Sequence, residues 1–340
     1  MGMLEETMNN FKSVLQNIRN DHVYIQTHNF PDPDAIASAY GLSVLLGRFG
    51  VTSSICYKGK IERYSTNRLI ESLGIDMTNL SECSMDSEDE VILVDAQKGN
   101  SNIIDSVGDE IICIDHHPSF SDAEYRYMDV RPEVGACSTI IAQYFFDNNI
   151  QMDKKVATAL IYGIKSDTQG LSRGVSQLDL DVYQILFRIC DKSVLKSLEH
   201  CSLKFEDLKA YASAINSIKV YDNVSFANTG QDCPDALIAS ISDFMLELAE
   251  VDFSVAYSQK PEGMKFSIRS TGKLDAGAIA ADALKDIGGG GGHAHMAGGY
   301  VPFDAKETDI PSVISYIEER FIEAIADYSA THADNIDNNN

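Results

Sequence analysis

Residues 22–38 read HVYIQTHNFPDPDAIAS, and the fold class follows from this stretch. His22 to Thr27 has the β-branched and aromatic content of a strand, and it runs directly into His28, Pro31, Asp32, Pro33 and Asp34. From there Ile36, Tyr40, Leu42, Leu45, Leu46 and Phe49 recur near the 3.6-residue period, which predicts a helix capped by Asp34 and stopped at Gly50. Proline fixes its own φ and biases its neighbour toward extended backbone, so Asp32 and Asp34 project from a stiff loop. Turn or capping aspartates beside an incidental histidine would leave the same residues, so this loop alone does not separate a cap from a metal site.

Strand-like runs recur at Val51 to Tyr57, Val91 to Val94 and Ile111 to Ile114. Helical patterns lie at Arg63 to Leu73, Ser138 to Asp147 and Lys154 to Lys165. The alternation predicts an α/β domain whose sheet is mainly parallel and flanked by helices. Ligands of such sheets sit beyond the carboxyl ends of the strands. Val91 to Val94 runs into Asp95, and Ile111 to Ile114 runs into Asp115, His116 and His117. Ser166, Asp167 and Thr168 end the helix from Lys154. Turn preference accounts for one acidic strand end, not for three strands ending in Asp or His. Oxygen and imidazole donors without thiolate suit Mn²⁺, Mg²⁺, Fe²⁺, Co²⁺ or Zn²⁺, and the carboxylate-rich mixture favours Mn²⁺ or Mg²⁺. Two such ions about 3.5–4 Å apart would activate a water and neutralise a phosphate, which points to phosphoester hydrolysis.

The rest of the composition narrows the setting. The 340 residues are 44% hydrophobic, enough for a sizeable core and longer than one typical domain. No apolar run approaches a membrane span, and the polar, acidic start predicts no signal peptide. The seven cysteines (56, 83, 113, 137, 190, 201 and 233) are scattered without a CxxC pair, as expected of reduced thiols in a cytoplasmic protein. Cys113, inside an apolar strand pattern, reads as a small buried hydrophobe. Lys+Arg of 27 against Asp+Glu of 51 gives a net charge of −24, which repels duplex DNA and anionic membranes. A phosphate-bearing ligand must then be small and locally attracted.

HNFPDPDAIAS, VDA, DHH and SDT resemble the four metal motifs of the DHH phosphoesterase superfamily. The resemblance implies two divalent ions, Mn²⁺ ahead of Mg²⁺ or Co²⁺. His28 and Asp32 would hold one, Asp34, His116 and Asp167 the other, and Asp95 would bridge. It further implies that His117 acts on the substrate phosphate as an acid or charge stabiliser, with Asp115 orienting an imidazole. In the second half, GGGGHAHMAGG and FSIRS are similar to the signature of the DHH-associated domain. Arg269, His293 and the loop glycines Gly290, Gly291 and Gly292 would contact a nucleotide. Arg173 and Gln169 line the expected substrate rim.

The expected layout is a catalytic metal-binding domain over 1–190, a helical linker over 191–230, a smaller α/β DHH-associated domain over 231–327, and a flexible tail over 328–340. The active site is expected in a cleft between the domains. Length and layout look like the oligoribonuclease and 3′-phosphoadenosine 5′-phosphate phosphatase (nanoRNase) subfamily. The implied substrates are short oligonucleotides or small phosphorylated nucleotides, a homodimer is allowed for, and duplex DNA and membrane are not partners. The alternatives are a manganese-dependent inorganic pyrophosphatase, a single-stranded DNA exonuclease and a non-catalytic nucleotide-binding module. SIRSTGK lacks the consecutive basic residues that mark the pyrophosphatase, and no basic track for a long strand is visible.

Overall fold

The computed structural model describes residues 12, 15, 18–61, 63–119, 123–200, 203–304 and 309–336. It divides into two compact units, 1–202 and 203–340. The first runs β1 (His22–Gln26), α1 (Pro33–Arg48), β2 (Thr52–Tyr57), α2 (Tyr64–Leu73), β3 (Thr78–Asn79), β4 (Glu90–Val94), β5 (Asp109–Asp115), β6 (Tyr127–Val130), α3 (Cys137–Asp147), α4 (Lys154–Asp167), α5 (Gln177–Ile189) and α6 (Lys192–His200). The six strands pair in parallel in the order β3-β2-β1-β4-β5-β6, the parallel sheet expected from the sequence.

Along β4 every residue is buried, and alternation decides which core each one enters. Ile92 and Val94 join Ile25, Ile112 and Ile114 in the large core with α1, α3 and α4. Val91 and Leu93 enter a smaller cluster closed by Met85, Ile103 and Tyr125 from connecting segments. The strand order reverses between β1 and β4, and a crevice opens beyond the carboxyl ends of strands at such a point.

One local expectation is corrected. Asp32, not Asp34, caps α1: its Oδ1 accepts from the backbone N–H of Asp34 at 2.9 Å and of Ala35 at 3.0 Å. Pro33 then occupies the first helical turn, where its missing N–H would be unpaired in any case. The helix stops at Phe49, followed by Gly50, as expected.

The second unit runs α7 (Leu208–Ser217), β7 (Lys219–Tyr221), β8 (Val224–Gln231), α8 (Asp235–Met245), β9 (Phe253–Lys260), β10 (Gly263–Ser270), α9 (Ala276–Ala283), β11 (Gly289–Gly292), β12 (Met296–Pro302) and α10 (Ile310–Ile336). Its sheet has the order β11-β12-β10-β9-β8-β7. Only β8 and β9 pair in parallel. Val224, Phe226, Val255, Phe266 and Ile268 pack with α9 and α10 on one face. Ala227 and Ala256 pack with α7 and α8 on the other.

The stretch 191–230, expected as a linker, is divided. α6 belongs to the first unit, whereas α7, β7 and β8 belong to the second. Its helical periodicity concealed a hairpin whose turn is Asp222–Asn223, with Asp222 at φ 52. α10 continues through residue 328 to Ile336, so the tail expected to fray from 328 is helical there, and 337–340 lie outside the described residues. Among the described residues no helix is long and apolar enough to cross a membrane.

Candidate metal centre

The loop after β1 is anchored at its base. Asn29 donates its backbone N–H to Asn102 O and Phe30 to Lys58 O, both at 2.7 Å. His28 Nδ1 stands 2.8 Å from Asn29 O, and a carbonyl can only accept, so Nδ1 carries the proton and Nε2 presents its lone pair. That Nε2 lies 3.7 Å from Asp95 Oδ2 and 3.9 Å from Asp32 Oδ1. Asp34, fully buried, is gripped by the start of α3: Cys137 N–H donates to its Oδ2 at 2.7 Å and Ser138 N–H to its Oδ1 at 3.0 Å. A helix N-terminus favours the negative charge.

Asp95 follows β4 directly with a left-handed backbone, φ 57, a conformation that aspartate tolerates better than most residues. Its N–H donates to Ile114 O at 2.9 Å, which ties it to β5. Asp115, the last residue of β5, accepts from the N–H groups of His116 and His117 and, at 2.9 Å, from His117 Nδ1. Gln97 donates to the other Asp115 oxygen at 2.7 Å and to His117 O at 2.9 Å. His116 repeats the logic of His28: Nδ1 donates to Val134 O at 3.1 Å, and Nε2 lies 3.4 Å from Asp95 Oδ1 and 3.3 Å from Asp167 Oδ2.

Two imidazole lone pairs thus face carboxylate oxygens, an arrangement that repels unless a proton or a cation lies between. Asp95 Oδ1 and His116 Nε2 are both buried with no hydrogen-bond partner. Burial, and then the neighbouring Asp34, Asp32, Asp115 and Asp167, pushes the Asp95 carboxyl well above its usual range. Burial with Asp32 and Asp34 raises Asp167 to about 8, against the partial relief of His117 and Arg173. Asp34 is raised mainly by burial. Burial opposes the ionised forms of Asp32 and Asp115 as well, but hydrogen bonds and charge from His28 and His117 respectively hold both low. Burial likewise opposes the charged form of His28, and Asp32 overcomes it, so His28 is raised.

Divalent cations would invert this electrostatics, and the donors fit them. Ligating atoms of His28, Asp32 and Asp95 lie within 4.8 Å of one another, as do those of Asp34, His116 and Asp167, and those of Asp95, Asp115, His116 and His117. The nearby Cys137 thiol is pushed well up, by burial first, and its Sγ points to Ile114 O, so it stays protonated and adds no thiolate.

Arg173 also reaches this region, donating to Asp167 O at 3.0 Å. In the second unit Arg269 is buried, with Nε 2.7 Å from Asp243 Oδ1 and further bonds to Ser267 Oγ and Ile268 O. The glycine run expected as a loop is the strand β11, paired with Ala297–Tyr300 of β12. A Cβ on Gly290 would collide with Ala280 O of α9, so close helix–strand packing demands glycine there. Exposed His293 opens the turn beyond, its N–H donating to Met296 O at 2.7 Å. Gln97, Val134 O and the α3 N-terminus escaped the sequence reading. Backbone donors and acceptors leave no residue-type signal.

Fold and site together define a two-unit α/β protein with a buried carboxylate–imidazole cluster at the carboxyl edge of a parallel sheet. Residues 22–164 match the N-terminal domain of the DHH family and residues 220–323 the DHHA1 domain; the chain belongs to the DHH family. An uncharacterized protein of Methanocaldococcus jannaschii is 34% identical over 280 residues, 82% of this chain but 57% of that relative. The chain therefore spans little more than half of that relative's length. A probable manganese-dependent inorganic pyrophosphatase of Streptococcus thermophilus is 28% identical over 278 residues, 77% of this chain and 83% of the relative. An exopolyphosphatase-related protein from Bacteroides fragilis has a crystal structure that aligns with a TM-score of 0.76 over 94% of this chain and 96% of its own, at 18% identity. That likeness is one of fold.

Proposed function

We propose that the protein is a cytoplasmic two-metal phosphoesterase that hydrolyses short oligonucleotides to mononucleotides, 3′-phosphoadenosine 5′-phosphate to AMP, or both. The reading is carried by the paired donor sets: His28, Asp32 and Asp95 beside Asp34, His116 and Asp167, with buried Asp95 Oδ1 3.4 Å from His116 Nε2. Manganese or magnesium ions held there would polarise a phosphoryl oxygen and bring a bound water's pKa near neutrality.

The chain's own groups supply the rest. Asp115 stays ionised and holds the proton on Nδ1 of His117, so Nε2 is the nitrogen that exchanges a proton with the leaving oxygen. Gln97 keeps Asp115 in place. Arg173 brings a fixed positive charge to the rim for a phosphate oxygen, and Arg269, His293 and Gly290–Gly292 are the proposed nucleotide contacts of the second unit. The free thiols of Cys56, Cys83, Cys113, Cys137, Cys190 and Cys233 suit a reducing compartment.

The pyrophosphatase relative favours a second reading, hydrolysis of pyrophosphate on the same donors. Against it, SIRSTGK carries only Arg269 and Lys273 where that enzyme has consecutive basic residues. Parallel assays with Mn²⁺ on a dinucleotide, 3′-phosphoadenosine 5′-phosphate and pyrophosphate separate the readings. Turnover of either nucleotide supports the first; pyrophosphate alone replaces it with the second; silence on all three overturns both.

A further inference from the structure

Beside the metal centre the surface carries an aromatic ring and a basic loop that the proposed chemistry leaves unused. Phe30 is 66% exposed, although its backbone is left-handed at φ 55, a conformation disfavoured for a bulky side chain. An outlier of this kind is a pointer to function. The ring is not loose. Phe30 N–H donates to Lys58 O, and Asn79 Nδ2 holds Gly59 O at 2.9 Å. The ring lies so close on Gly59 that a Cβ there would stand 2.5 Å from it. One face is thus backed by main chain and the other is open. Phe30 is two residues from both His28 and Asp32, so its Cα is within about 7 Å of each of theirs.

The loop that supports the ring is basic in a chain of net charge −24. Lys58, Lys60 and Arg63 fall within six residues, and none forms an ion pair with a described side chain. Arg63 is near enough to Asp32 for their charges to interact. A flat apolar face with neighbouring cations is the combination that binds single nucleotides: bases stack on the ring, and cations take the backbone.

We propose that Phe30, Lys58, Lys60 and Arg63 form a nucleotide subsite, in which a base stacks on the open face of Phe30 and the basic side chains hold the phosphate next to the cleaved one. The subsite rests on the reading of the adjacent cluster as a phosphoester site, and it gives that site a preference for substrates that carry a base.

The test is calorimetric binding of AMP and of ribose 5-phosphate to the full chain in Mn²⁺ buffer. Wild type is expected to bind AMP more tightly. The Phe30→Ala protein should lose about tenfold of that preference, the Phe30→Trp protein should keep it, and Lys58→Ala with Lys60→Ala should weaken both ligands alike. An AMP to ribose 5-phosphate ratio that is the same in the Phe30→Ala protein and wild type overturns the subsite. Dinucleotide hydrolysis by wild type is scored separately: a base preference lost in Phe30→Ala supports the subsite even where turnover is absent, and absent turnover counts against the esterase reading alone.

Discussion

Replacing Asp167 by Asn should stabilise the metal-free protein and weaken the metal-loaded one. In the folded state the Asp167 carboxyl titrates near 8 instead of 3.8, from burial and from Asp32 and Asp34. Each pKa unit corresponds to 1.36 kcal/mol, so ionising it at pH 8 opposes folding by at most about 6 kcal/mol. The side chain is 23% exposed, and solvent screening reduces this to roughly 3 kcal/mol at pH 8 and about 1 kcal/mol at pH 5.5. The sign follows from a raised folded pKa: the stability is present below about 3.8 and is lost as pH rises through 8. In EDTA at pH 8 the Asp167→Asn protein should therefore melt higher than wild type by several degrees, with a smaller gap at pH 5.5. Mn²⁺ at about 1,000 times its Kd should reverse the order, because binding then adds about 4 kcal/mol to wild type, more than the repulsion it must overcome, and the variant has lost a donor. Thermal melts followed by circular dichroism at both pH values, with and without Mn²⁺, measure all four quantities. A variant less stable than wild type in EDTA at pH 8 refutes the argument that these carboxylates repel one another until a cation joins them.

Asp34→Ala should destabilise even in EDTA, by about 2–4 kcal/mol in urea titrations, because it strands the N–H groups of Cys137 and Ser138. Gln97→Leu should lower kcat by about 10–100-fold while Mn²⁺ affinity measured by calorimetry changes little, since Gln97 orients Asp115 and His117. Gly290→Val should cost the second unit about 1–3 kcal/mol, seen as a lowered urea midpoint, because a side chain there meets Ala280 O.

The donors themselves were legible in the sequence. Each of His28, Asp95, His116 and His117 ends or follows a short apolar run, and Asp32 lies between Pro31 and Pro33 with Asp34 directly after, so local pattern placed them at strand ends without any knowledge of the sheet. The helices expected at Arg63 to Leu73 and Lys154 to Lys165 from the same periodicity lie within about two residues of the observed Tyr64–Leu73 and Lys154–Asp167. Less legible were segments with no periodic signal: a run of glycines reads alike as loop or strand, and only the approach of α9 makes β11 of it. The hairpin at Asp222–Asn223 was hidden by the amphipathic helices before it.

Local pattern thus determined the residue types, their strand-end positions and the α/β class. The order β3-β2-β1-β4-β5-β6, which sets β1 beside β4 and β4 beside β5 and so brings donors from distant loops into overlapping groups, each within 4.8 Å, was decided by tertiary structure. So was the clamp on Asp34 by backbone N–H groups more than a hundred residues away. Strand pairing and main-chain hydrogen bonds use atoms that every residue shares, and only the burial of the two faces of the sheet against their particular cores selects which of them meet.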